Sequence, residues 1–265
     1  MTKLGFIGCG NMASAIIGGI IAKGLAAQQD VLASNHSQTS ADAAHENLGI
    51  KTTTNNLEVV EWADVLFLSV KPQKYQVVIE QIRPVLKSDQ IVVTIAPGKT
   101  LSWLADRLGA QAKIVRTMPN TPALVGEGFT SYCANQNVSE DELAFVVRLL
   151  SSFGVALELD EPLIDAASAV GGSAPAFVYA FIEALADGGV SEGLPRAQAV
   201  QIAAQTVLGS AKMVLDTGKH PGQLKDEVCS PAGSTIKGME SLEKDGFRGS
   251  VIGAVRTTAA AARGL

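Results

Sequence analysis

A short apolar run over residues 4–7 leads straight into Gly8-Cys9-Gly10-Asn11-Met12-Ala13, and residues 12–25 then have helical length. Alone, a G-x-G-x-x-A string is weak, but between a strand and a helix it is the turn that dinucleotide-binding α/β folds require. Gly8 permits the tight turn, Gly10 lets a pyrophosphate approach the backbone, and Ala13 is small enough for close helix–strand packing. The pyrophosphate would then lie on free N–H groups at the positive helix end. An ordinary strand-to-helix turn is the alternative.

The chain repeats this punctuation. Apolar runs at residues 31–33, 65–70, 91–95 and 114–115 are nearly continuous in Val, Ile and Leu. Such runs suit parallel strands covered on both faces. Helical segments such as 75–85 lie between them, and 129–133 and 155–159 look like later strands around a helix over 140–151. Strand and helix alternation predicts a Rossmann-type doubly wound parallel sheet over residues 1–160. Beyond about Asp160 strand signals vanish. Helices are expected over 163–170, 176–187, 196–215, 235–244 and 247–263, giving an all-α C-terminal domain over residues 161–265. The helix over 176–187 is apolar almost all round, with only Glu183 and Asp187 charged. A helix of that kind has to be buried, and a subunit interface is the expected place, with a tight monomer as the alternative.

Composition narrows the function classes. With 47% hydrophobic and 18% charged residues the chain is not disordered. Lys and Arg number 21 against 26 Asp and Glu, a net charge of -5. That argues against nucleic acid as a partner. The longest apolar runs are broken by Gly, Lys or Ser, so no membrane span is expected, and the start does not read as a signal peptide. Cys9, Cys133 and Cys229 fit neither a disulfide framework nor a zinc spacing. No metal is expected, and a reducing cytoplasm is the simplest home.

Cofactor choice is read at the end of the second strand, where NAD sites carry an acidic residue about 20 residues beyond the glycines. Ser34-Asn35-His36-Ser37 stands there, with no carboxylate to repel a 2′-phosphate and with neutral donors available; His36 reads equally as a phosphate contact and as an exposed loop histidine. NADPH is favoured over NADH, although the usual Arg is missing as well. Other strand ends should line the same crevice: Ser69-Val70-Lys71-Pro72, Ala96-Pro97-Gly98 and Met118-Pro119-Asn120-Thr121-Pro122. Lys71 reads equally well as a surface lysine, and the proline loop as purely structural.

In the C-terminal half, Ser230-Pro231-Ala232-Gly233-Ser234-Thr235 runs directly into a helical segment. Backbone N–H groups at such a helix start can hold a carboxylate; ordinary N-capping by Ser or Thr is the alternative. No Lys occurs between Lys113 and Lys212, and His36, His45 and His220 have no evident carboxylate partner. A hydroxy-acid dehydrogenase needs a general base. An iminium can arrive already protonated and accept hydride directly, so the residues lean toward C=N reduction.

These stretches resemble the pyrroline-5-carboxylate reductases from end to end. The resemblance runs through residues 6–12, 64–72, 116–122, 184–190 and 220–226, and through the family signature over 228–240. It implies NAD(P)H-dependent reduction of 1-pyrroline-5-carboxylate to L-proline, the last step of proline biosynthesis. The cofactor would lie on Ile7, Gly8, Cys9, Gly10, Asn11 and Met12, on Ser34 and Asn56, on Ser69, Val70, Lys71 and Pro72, and on the Ala96 loop. The substrate carboxylate would sit on backbone N–H groups of Gly233, Ser234 and Thr235, with the Thr235 hydroxyl on the ring nitrogen. Glu161 and Glu227 match positions near the substrate pocket. The C-terminal helices would form a homodimer, and dimers a larger ring, commonly a decamer. Ala232 and Ser234 stand where the family usually has Gly and Thr. Two other classes stay open: a 3-hydroxyacid dehydrogenase, which the missing lysine opposes, and a non-catalytic NADP-binding protein.

Overall fold

The computed structural model describes residues 2–262. Its strands are β1 (Leu4–Ile7), β2 (Val31–Ser34), β3 (Lys51–Thr53), β4 (Val65–Leu68), β5 (Ile91–Thr94), β6 (Lys113–Pro119), β7 (Gly128–Ala134) and β8 (Gly154–Glu158). They form one sheet in the order β3-β2-β1-β4-β5-β6-β7-β8. Every pair is parallel except β6 with β7. Between the strands run α1 (Asn11–Ala22), α2 (Gln38–Leu48), α3 (Asn56–Trp62), α4 (Tyr75–Ile82), α5 (Leu101–Leu108) and α6 (Glu140–Leu150), followed by the short α7 (Ile164–Ala167).

β1, β2, β4 and β5 are buried along their whole length, as strands covered on both faces must be. Alternate residues serve opposite layers. Phe6, Ala33, Phe67 and Val93 pack in one core with Ile16, Ile17 and Ile20 of α1 and Leu149 of α6. Ile7, Leu32, Leu66 and Val92 pack in the other with Val59 and Val60 of α3, Ile79 of α4 and Leu104 of α5. Phe6 and Phe67 face each other across the β1–β4 pair and stack with ring centroids 4.5 Å apart.

The elements differ from the sequence pattern in two instructive places. β3, Lys51-Thr52-Thr53, carries no apolar run and is a strand because its backbone pairs with β2 at the sheet edge. β6 continues through Met118 and Pro119, residues that read as loop, because antiparallel pairing with β7 carries it on.

The chain divides into two compact units: residues up to Ser173 together with the end of the chain from Ala259, and Ala174–Thr258. The second contains α8 (Ala174–Ser191), α9 (Arg196–Thr217), α10 (Pro221–Val228), α11 (Ser234–Lys244) and most of α12 (Phe247–Ala262). Arg263, the expected end of the last helix, lies outside the described residues. The buried core of this unit is small: Ala186 of α8 with Ala199 and Ala203 of α9, and Ile182 and Val190 packed against them.

The tight-monomer alternative is corrected here: the helix over 176–187 is not buried within one chain. Ala186 is the one buried residue of α8, while Tyr179 is 59% and Leu185 41% exposed. Helical turns also run unbroken from Glu161 to Ser191, because residues Ser168–Ser173 form π turns and do not break the helix at Gly171 and Gly172. This stretch, with a mean hydropathy of 1.4 in its best window, is long and apolar enough to span a membrane by length and composition.

Candidate functional site

The strand order reverses between β1 and β4, and ligands of open α/β sheets bind at the carboxyl ends of the strands beside that point. A cavity of about 690 Å³ lies there. It is lined by Gly8, Cys9 and Gly10 after β1, Ser34, Asn35 and His36 at the end of β2, and Thr54 and Asn56 after β3. Ser69, Val70 and Lys71 after β4, with Ser40, Lys74 and Val78, complete it.

Gly8 sits at φ +92, and a Cβ there would come 2.9 Å from both the Ser69 carbonyl oxygen and Val70 Cγ1. Glycine is therefore required twice over, for the turn and for the approach of the β4 loop. Ser69 donates its hydroxyl to the Gly8 carbonyl at 2.6 Å, and the Asn35 amide donates to the Cys9 carbonyl at 3.3 Å. Both bonds fix the glycine turn from outside. Gly10 is the N-cap of α1, with no side-chain cap, and a Cβ there would meet nothing within 4 Å. Open space before an uncapped helix start is the cradle a pyrophosphate needs. Asn35 Oδ1 adds a buried acceptor with no partner in the structure. The residues present thus fit a nicotinamide dinucleotide.

The rest of the wall is pre-ordered. Ser34 is buried and donates its hydroxyl to Asn56 Oδ1 at 2.7 Å, while Asn56 Nδ2 donates to Gln81 Oε1 at 2.8 Å. Burial pushes the Cys9 thiol up, against a weaker opposing effect of Ser14, so it stays protonated at neutral pH. Ile7, Asn11, Met12, Pro72 and Ala96 are not among the cavity's lining residues. Ile7 and Ala96 are buried in the core beneath it, and Asn11 opens α1. Asn120 is tied down, donating to the Gly171 carbonyl at 2.9 Å and accepting from the Phe129 N–H at 2.8 Å.

Glu161, in the first unit, accepts from the Leu101 N–H at 2.6 Å and from Arg116 Nη1 at 3.1 Å. The nearly buried Arg116 also holds Asp165 at 2.8 Å. No spacing in the sequence announced this cluster, whose members come from distant segments.

In the second unit, α11 opens on Gly233 with no side-chain cap, so the first-turn N–H groups of Ser234 and Thr235 are not taken up by Ser or Thr. A Cβ on Gly233 would lie 2.4 Å from Ser230 Oγ, so any larger residue there would have to turn the Ser230 hydroxyl aside. Ala232 just before it is held at φ +56, the left-handed region. Glu227 on α10 pairs with Lys219 at 2.8 Å, and that contact holds its carboxyl below the usual range.

Comparison with known proteins agrees with both halves. Residues 161–265 match the family model described as pyrroline-5-carboxylate reductase dimerisation. Residues 3–98 match the model described as NADP oxidoreductase, coenzyme F420-dependent. The pyrroline-5-carboxylate reductase of Escherichia coli is 48% identical over 96% of this chain and 94% of its own length. That of Arabidopsis thaliana is 41% identical over 99% and 95%. The crystal structure of the Plasmodium falciparum pyrroline carboxylate reductase with NADP bound superposes with a TM-score of 0.90, at 35% identity over 99% of this chain and 97% of that one. With identity of this level spread over nearly the full length, from the Gly8–Gly10 turn to the α11 signature, the chain belongs to the pyrroline-5-carboxylate reductase family.

Proposed function

We propose that this chain reduces the C=N bond of 1-pyrroline-5-carboxylate to L-proline with a nicotinamide dinucleotide, NADPH in preference to NADH. The observation that carries the substrate assignment is the uncapped start of α11, whose N–H groups suit a small carboxylate without a cationic side chain.

Bound at the Gly8–Gly10 turn, the reduced dinucleotide supplies the hydride. The N–H groups of Gly233, Ser234 and Thr235 hold the substrate carboxylate. The Thr235 hydroxyl accepts from the ring N–H of the protonated imine and so fixes the adjacent carbon for attack. No general base is needed, because the nitrogen arrives carrying its proton. Glu161 and Glu227 already carry basic partners, which supports a role in shaping the pocket and not in proton transfer. Ile7, Asn11, Met12, Pro72 and Ala96 serve as backbone framing of the dinucleotide.

We assign residues 1–160 to dinucleotide binding and 161–265 to substrate binding and dimerisation. The exposed apolar side chains of α8 and α9, such as Tyr179, Leu185 and Ile202, are covered by a second copy and not by lipid, and dimers assemble into a decamer. The location is cytoplasmic, with no membrane and no nucleic acid as partner.

The test is loss of NADPH absorbance with racemic 1-pyrroline-5-carboxylate, with NADH alongside and proline identified as product. Turnover to proline, faster with NADPH, is expected. Tight dinucleotide binding without any proline would refute the assignment and favour a binding protein.

A further inference from the structure

We propose that Lys74, with Lys71 beside it, is the cationic anchor for a phosphate on the adenosine ribose, and so sets the NADPH preference of this chain. The inference rests on the function proposed above and names a residue that the sequence pattern did not single out.

A ribose 2′-phosphate needs positive charge or free donors near the end of β2. Three of the neutral donors there already have partners. The Ser34 hydroxyl goes to Asn56, the Asn56 amide to Gln81, and the Asn35 amide to the Cys9 carbonyl. No Arg lines the cavity, and neither does any Asp or Glu. Its fixed positive charges are Lys71 and Lys74.

The backbone brings these two lysines together. Pro72–Lys74 is a single 3-10 turn with Lys71 as its extended N-cap, the Lys74 N–H donates to the Lys71 carbonyl at 2.8 Å, and both lysines line the cavity. The turn is anchored directly behind Lys74. Tyr75 is fully buried and its hydroxyl donates to the Leu68 carbonyl. Among the described residues neither lysine side chain has an ion-pair or hydrogen-bond partner. Both ammonium groups are therefore available to a phosphate without breaking an internal contact. Two unpaired cations in a pocket free of carboxylates favour a dianion over a ribose hydroxyl.

Equilibrium titration of the full-length protein tests this, using NADPH, NADH, adenosine 2′,5′-bisphosphate and 5′-AMP as probes. Lys74→Met is expected to weaken NADPH and the bisphosphate about tenfold, the effect of one lost charge-assisted phosphate contact. NADH and 5′-AMP should stay within about twofold, and Lys74→Arg should restore most of the loss. Unchanged NADPH affinity in Lys74→Met, or equal loss for NADPH and NADH, would overturn the proposal while leaving the reductase assignment standing. A wild-type protein that binds neither dinucleotide would instead overturn the reductase assignment and this inference together.

Discussion

Ser69, just past the end of β4, donates its hydroxyl to the Gly8 carbonyl at 2.6 Å. The same hydroxyl lies 3.2 Å from the Ile7 carbonyl, so one side chain holds the glycine turn at the point where β1 meets α1. A net hydrogen bond of this kind contributes about 1 kcal/mol. Ser69→Ala should therefore weaken NADPH and NADH equally, by roughly fivefold. Fluorescence titration of both dinucleotides checks this, and unequal losses would mean that Ser69 touches the discriminating end of the cofactor.

Ala232 occupies the left-handed region at φ +56 where glycine is free of cost. An L-residue there carries about 1–2 kcal/mol of strain, against about 0.4–1 kcal/mol of unfolded-state entropy that Ala saves over Gly. Ala232→Gly should raise stability by a net amount of up to about 1.6 kcal/mol, about 0.8 kcal/mol at the middle of both ranges. Urea denaturation at fixed protein concentration reads the change. A loss of stability would show that the turn is held in place by contacts of the alanine methyl.

Thr235 stands one residue into α11, exposed and with no side-chain role in capping the helix. If its hydroxyl orients the reacting nitrogen, Thr235→Ala should lower kcat about tenfold or more, with a smaller effect on KM. Thr235→Ser should recover most of the rate. Steady-state kinetics of the two variants decide the matter, and full activity in Thr235→Ala would remove the residue from the mechanism.

Burial, reinforced by Glu161, pushes the Cys133 thiol from its ordinary value of 9.0 up to about 11. The unfolded chain thus loses this proton before the folded one does. The stability linked to it is complete below pH 9.0 and is lost as pH rises through about 11. The full loss is at most about 2–3 kcal/mol. Denaturation midpoints measured across that window should fall less steeply in Cys133→Ala than in the wild type, whatever the variant's absolute stability. Equal slopes would contradict the assignment.

What could be read ahead of the structure follows from how each residue does its work. β1, β2, β4 and β5 are buried on both faces, so their function is written as continuous Val, Ile, Leu and Phe. Gly8 is legible because its positive φ and the close approach of the β4 loop call for glycine, and Gly10 because a glycine leaves the space before α1 open. β3 was hidden because Lys51-Thr52-Thr53 is a strand through backbone pairing alone. α10 was hidden as well: its short polar run is started by His220, whose Nδ1 accepts from the Gly222 N–H at 3.0 Å. The Arg116 pairing with Glu161 and Asp165 joins segments far apart in sequence. Nothing in the sequence singles out Lys74, since only the fold brings it to the cavity that contains Ser34 and Asn56. The strain at Ala232 is not written in the alanine itself; the only sign of it is the Gly that the family usually carries there.

The central claim is hydride delivery to the imine carbon, and its most direct test uses NADPH deuterated at the transferable position of the nicotinamide. With 1-pyrroline-5-carboxylate as co-substrate, mass spectrometry and NMR should find one deuteron on the δ-carbon of proline for each NADPH oxidised. Proline without deuterium, or NADPH oxidised without proline, would contradict the account.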